Sequence, residues 1–211
     1  MKVLNLYAGI GGNRKLWGDE HDITAIEINP EIAKIYKQFF PKDKIIVADA
    51  HKYLLEHFEE FDFIWSSPPC PSHSIIRLNS AVARGQNEPL FPDMKLYQEI
   101  IFLKHHFKGK WVVENVKSYY KPLIKPQDIG SHYYWSNFVI GKKKQRESRE
   151  HDSKIEVLQR RKGFDLSNIS TSVDKKLLLR NCVEPEMAEH IFKCAFKEQQ
   201  QRLSSRKSLS Q

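Results

Sequence analysis

Ile23-Thr24-Ala25-Ile26-Glu27-Ile28-Asn29-Pro30 is the stretch that decides the fold. Ile23 to Ile28 reads as a short strand, and Asn29-Pro30 opens a helix reaching about Phe39, because proline suits the first helical turn. Ahead of it, Lys2-Val3-Leu4-Asn5-Leu6-Tyr7 reads as a buried strand stopped by Ala8-Gly9-Ile10-Gly11-Gly12. Behind it lie a third strand, Lys44 to Ala48, and a helix from Asp49 to about Glu59. A fourth strand, Phe61 to Trp65, ends in Ser66-Ser67-Pro68-Pro69. This alternation builds right-handed βαβ units. The expected fold class is α/β, a doubly wound, mostly parallel sheet.

Further along, residues 71–92 lack periodicity and are rich in Ser, Asn, Gly and Pro, which reads as a functional loop or lid. Pro92-Asp93 starts a helix to about Phe107, and Trp111 to Val113 is a fifth strand ending at Glu114-Asn115. His132 to Ile140 fits one more strand. Residues 141–175 are polar and basic without a core pattern. Pro185 to about Gln199 is an amphipathic helix, with Met187, Ile191, Phe192, Ala195 and Phe196 on one side. Residues 200–211 read as a disordered tail.

The 211 residues suit one domain, with 40% hydrophobic and 28% charged residues. Apolar runs fall short of a membrane span and the chain starts directly in a strand pattern, so the expectation is a cytoplasmic protein with no membrane partner. Lys and Arg total 34 against 26 Asp and Glu, a net charge of +8 that suits a polyanionic partner. The excess is concentrated in Lys142-Lys143-Lys144-Gln145-Arg146 and in Gln159-Arg160-Arg161-Lys162. Three cysteines without a CxxC pair argue against a disulfide framework and a zinc site, and the histidines show no ligand spacing. No metal is expected.

Every chemical motif falls at a strand's carboxyl end, where open parallel sheets bind ligands. Gly9, Gly11 and Gly12 make either a tight turn or a backbone cradle for a ligand. They lack the dinucleotide spacing and the Lys-Ser/Thr of a phosphate loop. Glu27 stands where a carboxylate accepts from ribose hydroxyls. Asp49 accepts from an adenine amino group, or caps the helix behind it, and the two roles can coexist. Together these favour an adenosine-containing ligand, and the missing phosphate machinery favours S-adenosylmethionine. In Ser67-Pro68-Pro69-Cys70-Pro71-Ser72-His73-Ser74, two prolines present Cys70 at a fixed place. A thiolate there can add to carbon 6 of a pyrimidine and make carbon 5 nucleophilic; the alternative is a cysteine in inert packing. Glu114 is either the acid that holds ring nitrogen 3 and the amino group of cytosine, or a surface acid at a strand terminus.

The ordered set Tyr7-Ala8-Gly9-Ile10-Gly11-Gly12, Glu27, Asp49, Pro68-Pro69-Cys70 with Ser74, and Glu114-Asn115-Val116 resembles the DNA cytosine-5 methyltransferases. The similarity runs from about residue 2 to 140 and resumes at Leu178 to Phe192. It implies the adenosylmethionine-dependent methyltransferase type of sheet. Tyr7, Gly9, Ile10, Gly11, Gly12, Glu27, Ile28, Asp49, Ala50 and Leu96 would line the cofactor pocket. Asn181 and Val183, in Leu179-Arg180-Asn181-Cys182-Val183-Glu184-Pro185, would return to it. Cys70 would be the nucleophile, Glu114 the cytosine-binding acid, and Ser74 a phosphate contact. Three positions depart from the pattern: Pro71 replaces a glutamine, Arg180 a glycine, and His132 an arginine that contacts the base.

The resemblance implies a core over residues 1–140 and a much reduced, basic target recognition region over 141–176. A last cofactor motif and helix then span 177–199. The expected activity is transfer of a methyl group from S-adenosylmethionine to carbon 5 of a flipped-out cytosine in duplex DNA. Arg77, Lys142, Lys143, Lys144, Arg146, Arg160 and Arg161 join Ser74 as expected DNA contacts. Restriction-modification, in a bacterium or phage, is the expected setting, and a second methyltransferase or restriction subunit is a candidate partner. The same core serves a tRNA branch, and a non-catalytic DNA-binding subunit is the third reading.

Overall fold

A computed structural model describes residues 1–75, 91–143 and 154–208. Among them the elements run β1 (Lys2–Leu6), β2 (Asp22–Glu27), α1 (Pro30–Phe39), β3 (Lys44–Val47), α2 (Ala50–His57), β4 (Phe63–Ser66), α3 (Lys95–His106) and β5 (Lys110–Val116). There follow β6 (Gln127–Ile129), β7 (His132–Ser136), α4 (Ile155–Lys162), α5 (Lys175–Arg180) and α6 (Pro185–Ser208). The strands form one sheet in the order β3-β2-β1-β4-β5-β7-β6. The β3-to-β5 portion is parallel, and β7 pairs antiparallel with β5 and β6. The doubly wound, mostly parallel sheet read from the sequence is the observed fold. The sequence reading has one strand over His132–Ile140; the structure has a hairpin, turned at Gly130 with φ 62°, whose first strand is only three residues long. So short a strand carries no visible alternation.

Alternation along each strand feeds two layers of helices. Leu4, Leu6, Ile64, Trp111 and Val113 face one side, against Leu54 of α2 and Leu96, Ile100 and Leu103 of α3. Val3, Phe63, Trp65 and Val112 face the other, where Met187, Ala188, Ile191 and Phe192 of α6 cover them. Trp17 stacks on Phe192 there, ring centroids 5.0 Å apart.

Two stretches correct the sequence reading. Within 141–176, Leu158, Phe164, Leu166 and Ile169 are buried with Ile10, Tyr36, Phe40 and Leu179, so residues 154–176 are packed onto the core. Their apolar residues fall partly outside regular helix, which hides them from a periodicity search. Residues 200–208, read as disordered, continue α6 to Ser208. They contain no Pro or Gly, and propagating an existing helix is far cheaper than nucleating one. No helix among the described residues is long and apolar enough to cross a membrane.

The glycine loop is braced from below by a buried ion pair. Arg14 Nε donates to Asp43 Oδ2 at 2.8 Å, Arg14 Nη2 to Oδ1 at 3.1 Å, and the Tyr36 hydroxyl to Oδ2 at 2.7 Å. Arg14 and Asp43 are each 3% exposed. Removing Asp43 leaves the buried Arg14 with only the exposed Asp19 at 3.2 Å, so Asp43→Ala is expected to cost about 3 kcal/mol in urea unfolding, with Tyr36→Phe costing far less.

Candidate functional site

β1 and β4 are neighbours, yet the chain leaves them in opposite directions across the sheet, β1 toward β2 and β4 toward β5. A cavity of about 1210 Å³ opens at that divide. It brings together Gly9, Gly12 and Glu27 from one half and Cys70, Glu114 and His132 from the other. Asn181 and Val183, far away in the chain, complete it.

The glycine loop depends on left-handed backbone. Tyr7 has φ 56°, Gly9 54° and Gly11 88°, and Tyr7 is the non-glycine among them, a strained state of the kind found at functional sites. Asn13 Nδ2 donates to Asn5 Oδ1 at 2.6 Å, a buried side-chain pair that ties the loop back to β1. Glu27 accepts from Gly9 N at 3.0 Å through Oε2 and from Asn29 N at 2.9 Å through Oε1. Each oxygen retains acceptor capacity for a ligand hydroxyl. A Cβ at Gly9 would meet nothing within 4 Å, so that backbone faces open space. A Cβ at Gly12 would overlap Cys182 Sγ and the Val183 carbonyl oxygen. The returning segment thus rests directly on the loop.

The Pro-Pro-Cys segment is stitched to β5. Trp65 Nε1 donates to Ser67 Oγ at 2.8 Å, and Ser67 Oγ donates to Glu114 Oε2 at 2.8 Å. Asn115 Nδ2 donates to the Pro68 carbonyl at 3.0 Å. The Cys70 carbonyl accepts from His73 N and Ser74 N, each at 3.0 Å, and His73 Nδ1 lies 2.6 Å from the Tyr120 hydroxyl. Cys70 is therefore held at the root of a closed turn, partly exposed, on the wall of the cavity that the 7%-exposed Glu114 also lines. His132 Nε2 lies 3.5 Å from Glu114 Oε1, and its Nδ1 lies 2.9 Å from Ser131 Oγ. Burial pushes the Cys182 thiol up to about 12, so at neutral pH that sulfur stays protonated and non-nucleophilic.

A basic wall faces this chemistry. Lys143, Arg160, Arg161, Lys162 and Arg180 all border the cavity. Lys162 is 6% exposed; it donates to the Cys182 carbonyl and lies 2.9 Å from Glu184, which also pairs with Arg161. Burial acts to raise the Glu184 carboxyl, and the two cations overcome it, holding it below the usual range.

Several expected residues stand elsewhere. Gly11 is buried against the Tyr36 and Phe40 rings, where a side chain would collide. Ala50 and Leu96 are core residues, 4% and 2% exposed, because α2 and α3 turn them into the sheet. Asp49 Oδ1 accepts from Lys52 N at 2.9 Å as the α2 cap and lies outside the cavity wall. Ile28 is 67% exposed at the tip of β2. Ser74 forms a bridge with Ser118. Lys142 is exposed and off the wall; Arg77, Lys144 and Arg146 lie outside the described residues. Sequence reasoning missed Asn13, Ser67, Lys162 and Glu184. Glu184 had a signal, since it sits inside the quoted last motif; Lys162 in a basic run had none.

The family model of C-5 cytosine-specific DNA methylases matches residues 1–124. The tRNA (cytosine(38)-C(5))-methyltransferase of Mus musculus is 32% identical over 84 residues, covering 37% of this chain and 20% of that protein. That of Rattus norvegicus is 25% identical over 125 residues, covering 56% and 31%. The chain thus spans between a fifth and a third of these relatives' lengths. The Entamoeba histolytica methyltransferase EhMeth has a similar structure, with TM-score 0.52 and 12% identity over 94% of this chain and 98% of that one. At that identity the likeness is one of fold.

Two outcomes are expected from this geometry. Gly12→Ala should displace the Cys182–Val183 backbone, lower stability by about 1–3 kcal/mol, and weaken S-adenosylhomocysteine binding in calorimetry. His51 pairs with buried Glu99, which raises its imidazole above the usual range, with Asp49 reinforcing this and Lys95 opposing it. A raised folded value means the stabilisation is present below about pH 6.5 and is lost as pH rises through the folded value. The stability gap between wild type and His51→Gln should therefore be widest at acidic pH and narrow on alkalinisation, as read from urea midpoints.

Proposed function

The chain belongs to the C-5 cytosine-specific DNA methylase family, and from that premise we propose that it methylates carbon 5 of a cytosine swung out of duplex DNA, through a covalent Cys70 adduct. The observation that carries this is the stitching of Ser67 to Glu114 and of Pro68 to Asn115, which joins the segment bearing a partly exposed cysteine to the strand bearing a buried acid, on one cavity wall.

S-adenosylmethionine is the cofactor of this fold, and the residues present fit it. Gly9 exposes backbone to open space, Glu27 keeps acceptor capacity, and exposed Ile28 offers an apolar surface at the next strand end. Tyr7, Gly9, Glu27, Asn181 and Val183 would hold it. When bound, it supplies the electrophilic methyl group that carbon 5 receives. The chain's own residues do the rest. The Cys70 thiolate adds to carbon 6, and the ring electrons move toward carbon 5. Glu114, protonated on the oxygen that meets ring nitrogen 3, stabilises the developing negative charge and accepts from the exocyclic amino group. His132, 3.5 Å from Glu114 and held by Ser131, borders the same part of the cavity and orients that acid. A base from solvent takes the carbon 5 proton, and the freed electron pair re-forms the 5,6 double bond and expels the Cys70 thiolate by β-elimination. A cytosine inside the stack offers no room for attack at carbon 6, so the base must be extruded. The wall of Arg160, Arg161, Lys162 and Lys143 suits the phosphates that flank such a base.

A tRNA substrate is the second reading, favoured by the 32% identity to the mouse tRNA enzyme. Competing a cytosine-containing duplex with tRNA in one assay decides between them: preferential methylation of tRNA overturns the DNA reading. On the preferred substrate, Cys70→Ser and Glu114→Gln should each lose at least about a hundredfold in kcat/KM, in line with loss of a nucleophile or a general acid. A 5-fluorocytosine substrate should trap wild type, and not Cys70→Ser, as an adduct stable to denaturing electrophoresis. Full activity of Cys70→Ser would overturn the mechanism.

A further inference from the structure

One buried carboxylate joins parts of the site that are far apart in the chain. Glu99, on the core side of α3, is fully buried. Its Oε1 accepts from the Tyr7 hydroxyl at 2.6 Å and lies 3.0 Å from His51 Nδ1, and its Oε2 accepts from Ser66 Oγ at 2.6 Å. A carboxylate stripped of water is heavily penalised unless its oxygens are paired, so these three partners are the condition for its presence. Each partner marks the end of a different element. Tyr7 leaves β1 with left-handed backbone and leads into the glycine loop. Ser66 is the last residue of β4 and leads into Ser67-Pro68-Pro69-Cys70. His51 lies in the first turn of α2, just past Asp49.

Apolar packing holds β1 and β4 in the sheet, but contact between greasy surfaces is non-directional and does not aim the loops that leave them. Charge-assisted hydrogen bonds to one carboxylate are short and directional. If Tyr7 shifts, the acceptor it shares with Ser66 through Glu99 must shift or lose a bond. Tyr7 borders the cavity, and Ser66 is followed at once by Ser67, which holds Glu114.

We propose that Glu99 is a positioning residue that couples the cofactor loop to the nucleophile loop, so that a ligand held after β1 alters the presentation of Cys70. The coupling rests on the reading of the glycine loop as cofactor site and Cys70 as nucleophile. Glu99 touches neither ligand nor base; it acts through Tyr7 and Ser66.

The test measures alkylation of Cys70 by iodoacetamide on the full chain, by peptide mass mapping, with and without saturating S-adenosylhomocysteine. Binding of that ligand is followed separately by calorimetry. In wild type the bound ligand should change the Cys70 rate about fivefold or more, in either direction. In Glu99→Gln, and in the milder Tyr7→Phe and Ser66→Ala, the response should fall below about twofold at full occupancy. A merely structural Glu99 would lower melting temperature and affinity yet leave the response of the occupied protein intact. That result in folded Glu99→Gln overturns the proposal; if Glu99→Gln does not fold, the same result in both milder variants overturns it. A wild type that binds S-adenosylhomocysteine with no change at Cys70 overturns the coupling alone. A wild type that binds none overturns both the coupling and the functional reading.

Discussion

The parallel pairing of β1 with β4, Leu6 opposite Ser66, is the constraint on which the rest of the site depends. It brings the exits of two strands, about sixty positions apart in the sequence, to the same level of the sheet. From there the chain continues to β2 on one flank and to β5 on the other. Where two neighbouring strands send their loops apart, backbone groups and side chains point into a gap that no element fills. Glu27 arrives at that gap from β2 and Glu114 from β5, so each loop meets a carboxylate from its own half.

Such a gap must be held open by directional contacts, because apolar packing alone would close it. Glu27, Asp43, Glu99 and Glu114 are all buried or nearly so, and each is met by donors from a different element. Leaving any of them unpaired in the interior would cost several kcal/mol, which selects the backbone arrangement that satisfies them all. The two cysteines at the cavity show the same rule from the other side. Cys182 is packed against the glycine loop and kept protonated by burial, whereas Cys70 sits on a turn that borders the cavity with Glu114.

The described part of the basic segment belongs to this construction. Lys162 and Arg161 meet Glu184 of the returning motif, and Phe164, Leu166 and Ile169 enter the core beside Ile10. Positive charge is thereby fixed along one wall of the cavity.

Much of this was legible in the residues themselves. Alternation of strand and helix, glycines after β1, an acid ending β2 and another inside β5, and two prolines before Cys70 are local features, and local backbone chemistry determines them. The Asp49 cap follows from the same local rules. What the sequence could not specify are the pairings between distant positions: Glu99 with Tyr7, His51 and Ser66, Lys162 with Glu184, Gly12 beneath Cys182 and Val183. Leu96 and Ala50 read as pocket residues and are core, because which face a helix buries depends on the sheet it docks against. Periodicity tells which residues leave water; only the closed tertiary structure, in which every buried charge must find its partner, decides which of them meet.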